Sequence, residues 1–380
     1  ARAAPWGEAL AERDVPWWDL PTLAWIDASD AGLHRLCGAG VVLSALLLLD
    51  VAPALCALLL WALYLSLVLV CNVFLQFQWD SLLIECLLLA AVVLPWRLRP
   101  ARLPRRPDAP PGALGRALLW WLLFRFMFES GVVKLTQDGN GKWHDLTALT
   151  YHYMTQPLPN GLSWHAWALP AWVHELSALG TFVIEIGVPL LIIGPRRVRH
   201  LACALLVLLQ LLIGLTGNYG FFNILTLVLC IPLLDDGVWT RNARDEPMAC
   251  GVPGSGVVEP LSPVGTRVRS RANIPRVVIV TLIFLATLAP LAGAFKISPA
   301  RLGPVGALAR AVSPFYVANH YGLFAIMTTS RPEIIIEGSR DGATWKAYEF
   351  RYKPGDMSRR PRLCTPHMPR LDWQMWFAAL

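Results

Sequence analysis

The chain has 380 residues, of which 55% are hydrophobic and only 16% are charged, whereas about 25% of residues are charged in a typical soluble protein. This deficit of charged residues excludes an ordinary soluble enzyme. The net charge of +7 comes from arginine clusters between apolar runs and not from a basic stripe interleaved with aromatic residues, so no nucleic-acid partner is expected. The 17 tryptophans favour a chain that meets the lipid bilayer, because an indole ring suits the membrane interface.

Sequence motifs of soluble catalysis are absent. The sequence contains no G-x-S-x-G, H-E-x-x-H, G-x-G-x-x-G or P-loop pattern, so a lipase, zinc protease, dinucleotide enzyme or ATPase built on those motifs has no support. The 8 cysteines include no C-x-x-C pair, which argues against a thiol oxidoreductase, and no metal site is predicted. The chain begins at Ala1 without a charged and then apolar leader, so no secretory signal is expected and further residues are expected upstream.

Apolar runs of nearly the length needed to cross the bilayer, about 20 residues, predict an all-α polytopic membrane bundle at 32–295. The eight predicted spans are 32–50, 52–75, 81–96, 116–135, 172–194, 199–216, 220–235 and 275–295. The third and seventh are short and could be tilted, re-entrant or paired segments. An amphiphilic segment, 1–31, precedes the bundle.

Arginine-rich loops predict the orientation of the bundle, because Lys and Arg are retained on the cytoplasmic side of a membrane. The basic loops are 97–115, 195–198 and 236–274. All three fall on one side of an alternating path. The N-terminal segment 1–31, the loop 136–171 and the region 296–380 are therefore expected on the periplasmic or lumenal side. An N-terminus on that side also predicts another helix upstream.

The region after residue 296 changes its pattern and predicts a small β-containing domain. Residues 333–338 and 344–352 are predicted to be two strands around the Asp341-Gly342 turn, since Asp-Gly between alternating residues is a hairpin signal. Trp345, Tyr348 and Phe350 give this hairpin an apolar side that is expected to pack on the outer face of the bundle. The last residues, 371–380, predict the first turns of an amphipathic helix.

Five ionisable residues lie inside predicted spans, where a charge is costly and is usually functional or paired. These residues are Glu85, Arg125, Glu129, Lys134 and Glu185. Arg125 and Glu129 are four apart and can pair along one helix face, and Glu185 lies at nearly the depth needed to reach Arg125 from another helix. A structural ion-pair network of Glu85, Arg125 and Glu185 is one interpretation, and a functional column of charges is the other.

Lys134 is the candidate catalytic base, because a partly desolvated ammonium near the membrane boundary can lose its proton more easily. In that interpretation Glu129 tunes the charge of Lys134, and His152 serves as a proton shuttle. The alternatives are that Lys134 extends to the membrane interface and that His152 is a bystander between two anchoring tyrosines, Tyr151 and Tyr153.

Polar and aromatic residues in the outward loops are the remaining candidates. Gln78, Trp79 and Asp80 precede the third predicted span, and Asn218 and Asn223 flank the short turn before the seventh. A functional extracytoplasmic motif is one interpretation. The alternative for the two asparagines is that they cap helix ends.

Several long strings of polar and aromatic residues resemble the lipase maturation factor family. They are 77–83 (FQWDSLL), 121–135 (WLLFRFMFESGVVKL), 145–153 (DLTALTYHY), 217–223 (GNYGFFN), 321–324 (YGLF) and 371–379 (LDWQMWFAA). The resemblance covers about residues 17–236 and 315–380. It implies a multi-pass membrane protein that assists the maturation of secreted proteins, with lipases of the lipoprotein lipase type as clients in animals. The Ala, Leu and Arg-rich composition favours a bacterial inner membrane, and the endoplasmic reticulum membrane is the eukaryotic alternative.

A fainter resemblance links the stretch Gly131-Val-Val-Lys-Leu135 and Trp143 to the vitamin K-dependent gamma-carboxylase family, in which the matching Lys is the catalytic base. Thr136 stands where that family has Asp. This resemblance implies a membrane enzyme in which Lys134 acts on a lipid-soluble cofactor or substrate. The sequence identifies no cofactor. We prefer the maturation-factor hypothesis, in which the loop 136–171 and the C-terminal region hold a client, because its resemblance is far longer.

Overall fold

The computed structural model describes residues 16–98, 112–239, 274–356 and 358–380, and most of them are helical. We number the helices α1 to α13 in chain order. They are α1 (Asp30–Leu48), α2 (Pro53–Cys71), α3 (Gln78–Val93), α4 (Ala113–Thr136), α5 (Ala148–Thr155), α6 (Gly161–Trp167), α7 (Ala171–Ile193), α8 (Arg196–Thr216), α9 (Phe222–Cys230), α10 (Asp236–Trp239), α11 (Ile274–Ala294), α12 (Pro304–Val312) and α13 (Arg370–Ala379). Helix α7 is composite: its α-helical part, Ala171–Phe182, continues through a π-helical turn at Val183–Gly187.

Five helices within the described ranges are long and apolar enough to cross a membrane, by length and composition. They are Asp30–Leu48, Pro53–Phe74, Ala171–Ile193, Arg196–Thr216 and Ile274–Ala294. The prediction of a helical membrane protein is thereby confirmed, whereas the predicted number of eight spans is not. Two predicted spans are too short, since α3 has 16 residues and α9 with its 3-10 extension covers only Phe222–Leu233.

Helix α4 is long, at 24 residues, but it is too rich in charged residues to count as a span of that kind. It is also the central helix, because it contacts α3, α9, α11 and the π-helical turn of α7. Leu122, Leu123, Phe126 and Met127 of α4 are almost completely buried. Charges on this helix therefore lie in the protein interior, where they need partners from the same chain.

The segment 136–171, which was predicted to be an outward loop, is not irregular, because it contains α5 and α6. Three side chains attach it to the segment 324–328: Trp143 Nε1 donates to Phe324 O at 2.8 Å, Asn140 Nδ2 to Met327 O at 2.6 Å, and Thr155 Oγ1 to Thr328 O at 2.8 Å. The loop and the C-terminal region are therefore one packed layer.

The predicted strands exist, but each has only two residues. Strand β1 (Glu337–Gly338) pairs antiparallel with β2 (Lys346–Ala347), and Glu337 lies opposite Ala347. The Asp341-Gly342 turn is as predicted, with Asp341 Oδ1 accepting from the backbone N–H groups of Ala343 and Thr344 at 2.9 and 2.7 Å. These backbone bonds lower the pKa of Asp341 below its usual range.

The predicted packing of the hairpin was wrong in its residues. Trp345 and Tyr348 are 58% and 67% exposed, so they do not bury an apolar side against the bundle, and of the three predicted residues Phe350 alone is half-buried. The C-terminal region instead packs against the bundle through Tyr321 and through Trp373 and Trp376 of α13. All three side chains are buried. Helix α13 packs on the bundle where the hairpin was expected, because Trp373 and Trp376 lie three residues apart and therefore on one helical face.

Candidate functional site

Arg125 lies in a buried cluster of charges at the centre of the bundle. Its guanidinium forms an ion pair with Glu85 of α3 through Nη2, and Nη1 donates to Glu129 Oε1 at 3.3 Å, one helical turn along α4. The same Nη1 donates to the backbone oxygen of Asn319 at 3.1 Å. The predicted pairing of Arg125 with Glu129 is thus confirmed, and Glu85 supplies the partner from a second helix.

The C-terminal segment completes this cluster. The Tyr321 hydroxyl donates to Glu85 Oε2 at 2.8 Å, and the Tyr321 backbone N–H donates to Glu129 Oε2 at 3.1 Å. Asn319 Nδ2 also donates to Glu85 Oε2, at 3.1 Å. Every carboxylate oxygen in the cluster therefore has a donor, whereas the buried Nε–H of Arg125 has no acceptor among the described residues. Asn319 was not singled out from the sequence, and Tyr321 stood only in the family-like string 321–324, because both residues lie far along the chain from α4.

Glu185 does not reach Arg125, so that prediction was wrong. Its Oε2 accepts from Lys134 Nζ at 2.7 Å, and Nζ also donates to Ser130 O at 2.9 Å. The two helices approach closely here: a Cβ added at Gly131 would lie 2.9 Å from the Cβ of Glu185. The glycine thus allows Glu185, in the π-helical turn of α7, to pack beside the end of α4 that carries Lys134.

This arrangement also changes the expected surroundings of Lys134. Lys134 is 5% exposed, so its ammonium is enclosed by protein. Glu129, which was expected to tune its charge, instead faces Arg125 and Tyr321. The ring of Trp143 lies 5.4 Å from Nζ, a distance at which a cation and an aromatic face attract one another.

His152 belongs to a hydrogen-bonded chain on the same side of the protein. Its Nε2 lies 2.9 Å from the Tyr219 hydroxyl, which donates to Gln156 Oε1 at 2.7 Å. Burial, together with the charge of Lys134, lowers the pKa of His152 to about 4. The imidazole is therefore neutral at pH 7, and its role as a proton shuttle stays a prediction.

The two tyrosines that flank His152 in the sequence have different surroundings. The ring of Tyr151 lies 5.5 Å from Lys142 Nζ. The ring of Tyr153 packs 5.7 Å from that of His174, and burial raises its pKa. Only Tyr153 of the two lines the cavity described below.

Asn218 and Asn223 do not cap helices, as the alternative interpretation expected. Asn218 Nδ2 donates to Leu158 O at 3.1 Å and to Arg362 O at 3.0 Å, while its Oδ1 accepts from Cys364 N at 2.9 Å. Asn218 thus connects the loop 136–171 with the C-terminal segment. Asn223 lies in the first turn of α9, and its Nδ2 donates to Gln210 Oε1 of α8 at 2.8 Å.

Gln78, Trp79 and Asp80 were expected in a loop, but they form the first turn of α3. The Asp80 carboxylate binds the Arg370 guanidinium through both oxygens, at 2.8 and 2.9 Å. The Gln78 Oε1 atom accepts from Gly322 N at 2.9 Å. The ring of Trp79 lies 4.9 Å from that of Trp373. All three residues therefore attach the C-terminal segment to the bundle.

A cavity of about 400 Å³ lies between α4, α7 and α8. Its polar lining includes Lys134, Glu185, His152, Tyr153, Gln210 and Asn223. Its remaining walls are mostly apolar, with Phe126 and Ile184 among them. The volume and the mixture of apolar walls with few polar groups are typical of a small-molecule site, which usually encloses about 300–1,000 Å³. Within the described residues, no group of His, Cys, Asp and Glu is arranged to hold a metal ion.

Two family profiles match the sequence. One, described as the lipase maturation factor transmembrane domain, matches residues 7–241, and the other, described as the lipase maturation factor C-terminal domain, matches residues 317–380. The second range contains the segment that closes the Arg125 cluster. The two profiles meet in space at the contacts of Asp80 with Arg370 and of Glu129 with Tyr321.

Curated relatives agree with the profiles. Lipase maturation factor 2 from Homo sapiens is 41% identical, over 98% of this chain and 65% of the relative, and that from Gallus gallus is 37% identical, over 95% and 63%. Lipase maturation factor 1 from Homo sapiens is 33% identical, over 95% and 64%. The chain thus spans somewhat less than two thirds of the length of these relatives, and no solved structure matches it significantly. Since one profile covers more than half of the sequence, the chain belongs to the lipase maturation factor family.

Proposed function

We propose that this protein is a membrane-bound maturation factor that assists the folding of secreted lipases on the periplasmic or lumenal side of the membrane. The family and the names of the relatives support a role in lipase maturation. The observation that carries the proposal is the attachment of residues 317–380 to the bundle through Asp80, Arg125 and Glu129. A segment fixed in this way can present a client-binding surface at a constant position.

The orientation is part of the same proposal. We place the basic loops 97–115, 195–198 and 236–274 in the cytoplasm, and the outward loop 136–171 with the region 296–380 on the opposite side. The packing of 324–328 against the outward loop supports a common side for these two regions. We propose 32–295 as the membrane part and 296–380 as the extracytoplasmic part, in a bacterial inner membrane or, in a eukaryote, in the endoplasmic reticulum.

The hairpin region supplies the client-binding surface in this proposal. Ile335, Trp345 and Tyr348 are 71%, 58% and 67% exposed, and neighbouring exposed apolar residues commonly mark a protein-binding surface. The hairpin is also held in place, because Lys353 pairs with Glu333. The occupant that we propose is a partly folded lipase, in accordance with the names of the relatives.

A triple substitution tests this surface. Ile335→Ser, Trp345→Ser and Tyr348→Ser together should leave the amount of folded membrane protein unchanged, because none of these side chains is buried. Secretion of active lipoprotein lipase from cells that lack their own maturation factor should fall at least fivefold. Leu363→Ser, at a residue 67% exposed in the same region, is the matched control. Normal lipase maturation by the triple variant would remove the client-binding surface from the proposal.

The alternative is a membrane enzyme in which Lys134 is a base for a lipid-soluble cofactor or substrate. The cavity beside Lys134 favours it, and the hydrogen bond from Nζ to Glu185 disfavours it, because the ammonium is already engaged by a carboxylate. Lys134→Arg separates the two functions. Arginine keeps the cation but does not deprotonate in proteins, so the maturation factor should retain both protein level and lipase maturation. Full protein level with all maturation lost would favour the enzyme.

A further inference from the structure

The cavity beside Lys134 contains polar atoms without hydrogen bonds. Lys134 engages Oε2 of Glu185, and Oε1 receives no hydrogen bond from the described residues. Nδ1 of His152 and Oδ1 of Asn223 are shielded from solvent and also lack partners within the described part of the chain. All three residues line the same cavity. Because buried polar atoms in folded proteins are almost always paired, the free Oε1 atom of Glu185 beside the cavity points to a missing partner, whereas Nδ1 of His152 and Oδ1 of Asn223 reach the cavity only after their side chains rotate.

The three unpaired atoms are all hydrogen-bond acceptors. The Tyr219 hydroxyl donates its hydrogen to Gln156, so its oxygen accepts from Nε2 of His152. In the neutral imidazole this leaves Nδ1 as an acceptor. Asn223 uses its amide nitrogen toward Gln210, so its free atom is the carbonyl oxygen. The Oε1 atom of the Glu185 carboxylate can only accept. The missing partner must therefore supply donors.

Lys134 also has one N–H donor that no hydrogen bond described above uses. Lys134 Nζ carries three hydrogens, and the hydrogen bonds to Ser130 and Glu185 use two of them. A group that both donates and accepts can therefore bridge Lys134 and Glu185. A hydroxyl group has this capacity, whereas a ketone, an ester or an ether cannot donate.

The charges of the site select against an ionic ligand. Lys134 and Glu185 neutralise one another, and the imidazole of His152 is uncharged at pH 7. A carboxylate or ammonium group entering this cavity would bring a charge without a counterion into a poorly hydrated site, at a large cost. The polar end of the ligand is therefore neutral.

The rest of the cavity suits a hydrocarbon chain. Its apolar walls include Phe126, Ile184 and Leu209. Two lining residues, Leu169 and Leu212, are 47% and 51% exposed, so the cavity reaches the protein surface. Leu212 lies on α8, which is one of the helices long and apolar enough to cross the membrane. A lipid can thus enter from the bilayer.

We propose that this cavity binds a neutral lipid whose polar end carries hydroxyl groups, of the monoacylglycerol class. One hydroxyl accepts from Lys134 Nζ and donates to Glu185 Oε1. A second donates to Asn223 or His152 after a small rotation of that side chain exposes the shielded acceptor. The acyl chain follows the apolar walls toward Leu212. Lipid binding at this site does not depend on client binding, so a result against one proposal leaves the other unaffected.

Competition for photolabelling tests the proposal with the purified full chain in detergent. The probe is a monoacylglycerol with a diazirine in its acyl chain, and the competitors are monoolein, methyl oleate and oleate, which have the same chain. Monoolein should displace the probe at a concentration at least tenfold lower than either of the others, because it alone offers neutral hydroxyl donors. Equal competition by methyl oleate, or stronger competition by oleate, would overturn the proposal.

Two glycines of α7 provide a matched pair of variants that test where the lipid binds. A Cβ added at Gly180 or Gly187 would meet no atom within 4 Å, and only Gly180 lines the cavity. Gly180→Phe should reduce labelling at least tenfold, and Gly187→Phe should label as the unaltered chain does. Equal labelling of both variants would place the lipid elsewhere and overturn the proposal.

A double substitution tests the recognition of the hydroxyl group. Replacing Lys134 and Glu185 together by Met removes both charges and keeps the side-chain volume, so no charge is left unpaired. This variant should still be labelled, but monoolein and methyl oleate should compete within twofold of one another. If monoolein kept its tenfold advantage, the proposed hydroxyl contacts would be refuted. Loss of all labelling in the folded variant would also contradict the proposal, because the acyl contacts remain.

Discussion

Helix α4 carries two buried cations about two and a half turns apart, and their surroundings differ. Around Arg125, both carboxylates use all their oxygens, and the C-terminal segment closes the cluster. Around Lys134, one carboxylate oxygen is free and a cavity lies alongside. The comparison teaches that a buried charge in a membrane protein is not in itself a functional site. A polar atom without a hydrogen-bond partner beside a cavity is a more specific sign of a functional site than a buried charge is.

The largest expected effect is the loss of Arg125. Arg125→Met leaves Glu85 and Glu129 buried without their cation, and breaking a buried ion pair in this way costs about 3–5 kcal/mol. Little folded protein should remain, as measured by size-exclusion chromatography of the detergent-solubilised chain. Arg116→Met, at an exposed position of the same helix, is the control. A normal yield of monodisperse Arg125→Met would show that the cluster does not hold the fold together.

A smaller loss is expected for Lys134. Lys134→Met leaves one buried carboxylate, that of Glu185, without its cation, whereas Arg125→Met leaves two, so we expect a loss of about 3 kcal/mol, at the lower end for a broken buried pair. The double variant with Glu185→Met should recover most of this loss in thermal unfolding. Combining Glu185→Met with Arg125→Met should give no recovery, since those side chains do not pair. If Glu185→Met instead recovered the stability of Arg125→Met and not that of Lys134→Met, Glu185 would pair with Arg125, as the sequence predicted.

The contact of Arg370 with Asp80 is expected to matter less, because the Arg370 side chain is 22% exposed. Arg370→Met removes two hydrogen bonds to a carboxylate that keeps Tyr64 as a donor, and about 2 kcal/mol is expected from bonds of this kind. The C-terminal segment should then open more often. Buried Cys364 should react with a thiol reagent at least fivefold faster, measured by mass spectrometry of its peptide.

Arg359→Met is the control for this experiment, because Arg359 lies in the same segment and its contact with Glu349, at 3.7 Å, joins two exposed side chains. It should leave the reaction rate of Cys364 unchanged. If Arg370→Met reacted no faster than this control, the contact of Arg370 with Asp80 would not be what holds the segment closed.

The smallest effect concerns pH and His152. Its pKa is lowered from 6.5 to about 4 in the folded protein, so the unfolded chain binds a proton first as the pH falls. The stability that depends on the neutral imidazole is therefore present above pH 6.5 and is lost as the pH falls toward 4. Between pH 7 and 5, Tm should fall less in His152→Phe than in the unaltered chain. An identical fall would show that His152 does not titrate in this way.

The sequence predicted those features that depend on neighbours along one helix. The pairing of Arg125 with Glu129 follows from a spacing of four residues, and the five ionisable residues were found because a charge inside an apolar run is conspicuous. The start of α3 was missed, since Gln78 and Asp80 are polar and were assigned to a loop. Asp80 in fact accepts from Phe77 N at 3.3 Å, and an acidic residue in the first turn of a helix was an available signal.

Contacts between distant segments could not be predicted in the same way. Depth along a helix placed Glu185 near Arg125, but the close approach at Gly131 and the π-helical turn bring it to Lys134. Asn319 and Tyr321 reach the Arg125 cluster from a segment about 190 residues away, and no local pattern indicates such a contact. The hairpin was placed correctly by Asp341-Gly342, whereas the length of its strands depends on packing that Trp345 and Tyr348 do not make.

Thermal unfolding with and without monoolein tests the division between the two sites most directly. A ligand that binds the folded chain raises Tm, so the unaltered chain and Gly187→Phe should both gain several degrees with monoolein. Gly180→Phe should have a similar Tm without lipid, because the Arg125 cluster is intact, and should gain nothing from monoolein. A gain in Gly180→Phe equal to that of Gly187→Phe would contradict the account, because the lipid would then bind outside the cavity beside Lys134.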